Sequence, residues 1–250
     1  MLGITNNNDI CQIELQRPPV NALNPQLIDE LRAALETQIE NGARGIILTG
    51  REGLFSAGLD IPELLQLDCE GISRFWQGFF GLLECLARSP IPVVAAISGH
   101  SPAGGTVLTL FCDYRVMAAG DYKLGLNEVQ VGLVVPPVIQ RSLVRLIGPH
   151  AAERHMVTGD MIDAARALEL GMVDELAPPA QCADRARQWL EYHLRLPAHA
   201  MSETRRLARA DLAGLFDDPT ELGIERFVNL WFREDTQTAL RALVAKLGKK

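Results

Sequence analysis

The chain is expected to fold as an α/β protein, and three features carry that expectation. Short apolar runs of strand length, "GIILTG" (45–50), "PVVAAIS" (92–98) and "DYRVMA" (113–118), are separated by stretches with helical periodicity. From about residue 135 the pattern is mainly helical, and 196–250 is amphipathic helix throughout. The 250 residues are 48% hydrophobic, enough for one large core or for a core with a helical appendage.

Taken in order, "ICQIELQ" (10–16) sets Cys11, Ile13 and Leu15 against Gln12, Glu14 and Gln16, the alternation of a strand with one wet face. "NPQLIDELRAALETQIENG" follows with Asn24 as N-cap, Pro25 in the first helical position, Leu27, Leu31 and Leu35 on one face, and Gly42 past the end. After the strand 45–50 come "LFSAGLD" (54–60), a helix around 71–89, the strand in 92–98 and the turn "GHSPAGG" (99–105). A short apolar helix then leads to the strand in 113–118. Further on, Asp163 caps the start of "AARALEL" and Gly171 its end. The expected division is a core over 1–195 and a helical segment over 196–250.

The net charge of −7 argues against a nucleic-acid footprint or an anionic membrane surface, both of which need clustered Lys and Arg. The five cysteines are an odd number, widely spaced, with no C-x-x-C pair, so no disulfide framework and no metal site is expected. The N-terminus "MLGITNNND" lacks the charge and apolar stretch of a secretory signal, and a cytoplasmic location is expected.

"LFSAGLD" and "GHSPAGG" share a logic: a buried strand ends and small residues carry the chain over before a helix begins. Backbone N–H groups freed there can receive an anion, because the first amides of a helix have no internal partner. Tight turns with no ligand are the plain alternative. A phosphate loop needs a lysine that is missing, G-x-G-x-x-G is absent, and neither Ser56 nor Ser101 sits in a G-x-S-x-G elbow. His100 is read as a turn histidine. In "YKLGLNEVQVGL" (122–133), Glu128 is flanked by Leu124, Leu126, Val129, Val131 and Leu133. An acid in such surroundings is expected to titrate high, which suits a general base near neutrality.

"FSAGLD", "SPAGG…CDYRV", "GLNEVQVGL" and "VTGDMIDAARALELGMVDEL", in this order and spacing, resemble the crotonase (enoyl-CoA hydratase/isomerase) superfamily. Within it, "SAGLD", "PAGG" and "GLNE" are most similar to the mitochondrial-type Δ3,Δ2-enoyl-CoA isomerases. The resemblance implies a crotonase-like spiral of ββα turns with a C-terminal helical segment, assembled as a homotrimer or a dimer of trimers. It implies an acyl-CoA thioester as substrate, with coenzyme A arriving as part of that substrate and no separate cofactor.

By the same resemblance, the backbone amides of Leu59 and Gly104 form an oxyanion hole for the thioester oxygen, and Glu128 is the base. Each such donor is worth roughly 3 kcal/mol in hydrolases. Ser56, Ala57, Gly58 and Asp60 in the first turn, and Ala103, Gly105, Val107 and Asn127 beyond it, are implied as substrate-binding positions, with the Ala57 carbonyl near the adenine. Ala103, Gly104 and Gly105 are expected to be small so that the acyl chain can approach the amides. Val107 falls where hydratases of the family carry a first glutamate, which leaves one carboxylate, enough for isomerisation.

Two other readings stay open. One is hydration or thioester hydrolysis aided by Asp60, Glu63 or Asp68, and the other is a non-catalytic acyl-CoA-binding paralogue. The pocket floor is expected from "FWQGFFGLL" (75–83) and the C-terminal helices, which otherwise serve as ordinary core, and a CoA 3′-phosphate contact from Lys246, Lys249 or Lys250, which otherwise are simply solvated.

Overall fold

The computed structural model describes residues 1–220 and 222–247. Its strands are β1 (Leu2–Asn7), β2 (Ile10–Leu15), β3 (Gly45–Thr49), β4 (Gly53–Leu54), β5 (Val93–Ile97), β6 (Gly99–Pro102), β7 (Tyr114–Ala118), β8 (Lys123–Gly125), β9 (Ile162–Asp163) and β10 (Glu175–Ala177). Its helices are α1 (Pro25–Glu40), α2 (Ile61–Leu64), α3 (Cys69–Arg88), α4 (Gly104–Leu110), α5 (Pro137–Ile147), α6 (Pro149–Thr158), α7 (Ala164–Glu169), α8 (Cys182–His193), α9 (Ala198–Ala208), α10 (Ala210–Ala213), α11 (Ile224–Trp231) and α12 (Glu234–Leu247).

Two sheets organise the chain. The larger has the order β1-β2-β3-β5-β7-β10, antiparallel only between β1 and β2, and the smaller has the order β4-β6-β8-β9. From β3 onward, each turn of chain lays one strand in each sheet and then a helix: β3, β4 and α2–α3, then β5, β6 and α4, then β7, β8 and α5. This is the repeating ββα arrangement that the resemblance implies.

The large sheet is covered on both faces, which is why its strands are apolar runs. Alternate residues (Ile46, Leu48, Val93, Ala95, Ile97, Met117) enter the main core with α1 and α3, while Ile47, Val94, Ala96, Val116 and Ala118 pack on Cys182, Ala186 and Leu190 of α8. Expected caps form as read: the Asn24 side chain accepts from Leu27 N at 2.9 Å, and that of Asp163 from Arg166 N at 2.8 Å.

The structure adds one element that the sequence did not announce, corrects one reading and decides another. The polar N-terminus is a strand, because β2 offers an unpaired edge and Asn8 reverses the chain at φ 52. "GHSPAGG" is not simply a turn: its first four residues form β6, parallel to both β4 and β8. "FWQGFFGLL" lies on α3, where Phe75, Trp76, Phe79 and Phe80 are buried in the main core.

The C-terminal helices fold back on the same core, to which Leu212, Phe216, Phe227, Trp231 and Leu240 contribute. The Phe227 ring lies 5.8 Å from Trp76 and 6.3 Å from Phe80, and the Thr236 hydroxyl donates to Gly132 O at 3.1 Å. Among the described residues no helix is long and apolar enough to cross a membrane.

Candidate active site

A cavity of about 490 Å3 opens where the ends of β4, β6 and β8 meet α12. Ala57, Leu59 and Asp60 enter it from the first turn, Pro102 and Ala103 from the second, and Asn127 and Glu128 from the third. Val131, Leu133 and Leu243 add apolar wall, and Arg17 stands with Pro18 and Pro19 at another side.

Glu128 opens a single 3₁₀ turn (Glu128–Val131) that Gly132 closes at φ 78, with Leu133 N donating back to Glu128 O at 3.0 Å. The carboxylate is 8% exposed, and its Oε2 is buried with no hydrogen-bond partner. Burial pushes its pKa up to about 7, because the charged form is left without water or a counter-charge. A carboxyl group that titrates near neutral pH results.

The first turn bends at Gly58, whose φ of +86 suits glycine. A side chain there would meet Pro102 O at 3.0 Å and Gly104 N at 3.3 Å, so the two turns are nearly in contact. Leu23 N donates to Gly58 O (2.7 Å) and Asp60 N to Leu23 O (3.0 Å), which fixes the peptides on either side of Leu59. The Leu59 N–H between them makes no hydrogen bond among the described residues, and neither does the Gly104 N–H at the start of α4.

Ala103 precedes that second free amide with φ 46 and ψ −120, a conformation that costs a non-glycine residue about 1–3 kcal/mol. It is held there by Ala103 N to Gly125 O (2.8 Å) and Val107 N to Ala103 O (2.9 Å). Thr106 secures the same corner, its hydroxyl donating to Ser101 O and accepting from Gly125 N at 2.8 Å.

Gly104 and Gly105 are small for a different reason from the one expected. A Cβ on Gly104 would lie 3.0 Å from Leu23 Cδ1 and 3.1 Å from Leu59 Cδ2, and one on Gly105 would lie 2.8 Å from Ser56 O. Packing within the protein therefore excludes a side chain at Gly105 and crowds one at Gly104, whatever the substrate requires. Ser56 is fully buried, donates to Asn21 O at 2.7 Å and accepts from Gly58 N at 3.2 Å, so it braces the turn. Gly58 and Gly105 likewise do not line the cavity, the Gly104 N–H follows the cavity-lining Ala103, and Val107 is a core residue of α4 at 1% exposure.

The other carboxylates considered as a second acid are committed elsewhere. Asp60 pairs with Arg17 at 2.7 Å, Glu63 pairs with Arg17 at 3.0 Å and accepts from Asn24, and Asp68 caps α3 through Gly71 N at 2.8 Å. Lys246 is exposed on α12, whereas Lys249 and Lys250 lie outside the described residues. Arg17 and Thr106 were not singled out in the sequence, where neither carries a motif of its own, whereas Leu243 lies on a C-terminal helix, as expected of the pocket wall.

Comparison with known proteins places this geometry. Residues 5–236 match the family model described as enoyl-CoA hydratase/isomerase. The chain belongs to the enoyl-CoA hydratase/isomerase family. Among relatives of this family, the rat mitochondrial enoyl-CoA delta isomerase 1 is 35% identical over 96% of this chain and 84% of its own. The human one is 33% identical over 96% and 81%. The crystal structure of human mitochondrial delta3-delta2-enoyl-CoA isomerase superposes with a TM-score of 0.94 at 30% identity, covering 99% of this chain and 98% of that one. The expected cytoplasmic location is corrected: these relatives are mitochondrial enzymes, which points away from the cytoplasm.

Proposed function

We propose that the protein is a Δ3,Δ2-enoyl-CoA isomerase of fatty-acid β-oxidation, moving the double bond of a 3-enoyl-CoA to give the trans-2-enoyl-CoA. The observation that carries this reading is a buried, unpartnered carboxylate facing a cavity beside two unused backbone donors.

Glu128 removes a proton from C2 of the bound thioester and becomes a neutral acid. The electron pair spreads into a dienolate, and charge gathers on the thioester oxygen, where the Leu59 and Gly104 N–H groups donate as an oxyanion hole. Protonated Glu128 then returns its proton to C4, so that the C3–C4 double bond is lost and the C2–C3 double bond forms. One carboxylate performs both transfers, and its pKa of about 7 makes it competent as base and as acid.

Hydration needs a second acid or base to divide a water molecule, and the Asp60 carboxylate in the cavity is tied up by Arg17. Ala57 and Asn127 contact substrate from the rim, and Ala103 lies beside the thioester. Ser56, Gly58 and Gly105 act through the shape of the turns, and Val107 through the packing of α4 behind them. Within this reading, 1–195 is the core that holds the chemistry and 196–250 caps the substrate through Leu243 and supports assembly into a trimer or a dimer of trimers. The substrate brings its own coenzyme A and no cofactor is required.

Separate assays with 3-hexenoyl-CoA and crotonyl-CoA test the assignment. Double-bond migration with little hydration is expected. Hydration of crotonyl-CoA without migration, or binding without turnover, would overturn it.

A further inference from the structure

Residues 17–23 run alongside the first turn of the site and are stitched to it. Asn21 Nδ2 donates to Phe55 O (3.1 Å), Ala57 N to Val20 O (3.0 Å) and Ser56 Oγ to Asn21 O (2.7 Å), in addition to the two Leu23 bonds that bracket Leu59. Asn21 is buried with φ 49, a backbone state that persists only where its surroundings hold it.

Arg17 supplies much of that hold. Its N–H donates to Asn21 Oδ1 (2.9 Å) and its carbonyl accepts from Asn21 N (2.7 Å). Its Nη1 donates to Ala22 O (3.0 Å), and its Nη2 reaches both Asp60 Oδ2 (2.7 Å) and Glu63 Oε2 (3.0 Å). The Arg17 and Asp60 side chains are only 20% and 13% exposed, so this pair is largely shielded from solvent screening. One planar guanidinium thus fixes Ala22, the residue before Leu23, and Asp60, the residue after Leu59.

We propose that Arg17 is a positioning residue for the reaction: its guanidinium, clamped between Ala22 O, Asp60 and Glu63, sets the direction of the Leu59 N–H and so the strength of its bond to the thioester oxygen. The proposal rests on the isomerase reading above. Two carboxylates neutralise the guanidinium, so its influence is geometric and not a matter of attracting substrate charge. Donation to the oxygen matters most when the dienolate forms, so a loosened clamp lowers kcat far more than it weakens acyl-CoA binding.

The test compares wild type with Arg17→Met and Asp60→Asn. Asparagine keeps the shape of Asp60 and its capping bond to Glu63 N (3.0 Å) while removing the charge, so it decides the matter where Arg17→Met does not fold. Octanoyl-CoA titration counts competent sites, 3-hexenoyl-CoA turnover gives kcat per site, and infrared difference spectra report the carbonyl stretch of bound trans-2-hexenoyl-CoA.

A misalignment of about 1 Å costs on the order of 100-fold, so kcat should fall about 10- to 100-fold with octanoyl-CoA affinity changed less than about threefold. The carbonyl stretch, lowered in wild type by the two donors, should move back toward its free value, while the pH midpoint stays at about 7 because Glu128 is untouched. A folded variant with kcat within about twofold of wild type and the full carbonyl shift would overturn the clamp. Wild type that leaves 3-hexenoyl-CoA unchanged would instead remove the isomerase reading, a result visible before any variant is made.

Discussion

Replacing Glu128 with glutamine separates what the carboxylate does for chemistry from what it costs the fold. Its pKa is 4.5 in an ordinary environment and about 7 in the buried site. A raised carboxyl pKa means the folded state holds its proton more tightly than the unfolded chain. The associated stability is fully present below about pH 4.5 and is lost as pH rises through 7, a difference of about 3 kcal/mol. Glu128→Gln has no charge to bury and escapes this loss, although its amide N–H groups lack partners in the same apolar surroundings, at about 1–2 kcal/mol. The clean observable is therefore the change with pH. Between pH 5 and pH 9 the stability of the variant relative to wild type should rise by about 2.5 kcal/mol, read from urea unfolding at both values. At neutral pH the variant's kcat for 3-hexenoyl-CoA should lie at least about 1,000-fold below that of wild type while octanoyl-CoA still binds. Parallel pH–stability curves for the two proteins would show that the carboxylate is hydrated or paired in solution, and retention of a tenth of the wild-type rate would assign the proton transfer to another group.

The pH dependence of kcat/KM in wild type should rise through a single ionisation near 7, since the free enzyme needs ionised Glu128, and a midpoint below 5 would contradict the burial seen here. Gly104→Val should press on Leu23 and Leu59 and lower kcat/KM by about 100-fold with the fold retained; calorimetry and turnover together would show otherwise if both were unchanged. Val107→Glu places a carboxylate in the core beside α4 and should destabilise by about 3 kcal/mol or more in urea unfolding, whereas wild-type stability would place Val107 against solvent or the cavity. Leu243→Trp narrows the cavity from α12 and should shift preference toward shorter 3-enoyl chains, and an unchanged ranking across a chain-length series would put the acyl tail elsewhere.

What was legible in the sequence was whatever a local pattern dictates. Alternation revealed β2, the Asn24-Pro25 pair announced α1, and an acid among leucines and valines singled out Glu128 before its burial was visible. What was hidden depends on partners distant in the chain. β1 is a strand only because β2 needs a neighbour, and β6 only because β4 and β8 flank it. Gly105 shows the limit well: a small residue was called for, but by Ser56 across the turn and not by a ligand. The aromatic run on α3 was open for a related reason: apolar side chains suit a pocket floor as well as a core, and the packing of α1 and α11 decides for the core.

Leu59, Gly104 and Glu128 each follow a strand of the small sheet, β4, β6 and β8 in turn, within a few residues. Adjacent strands lie about 4.8 Å apart, and two nitrogens that share one oxygen at about 2.9 Å each are separated by nearly the same length. The small sheet therefore serves as a ruler: the pitch of its ladder brings the ends of β4 and β6 to this spacing, and the Leu23 bonds then seat Leu59 within it. A single residue gained or lost between Leu54 and Leu59 would put one amide out of step with the other.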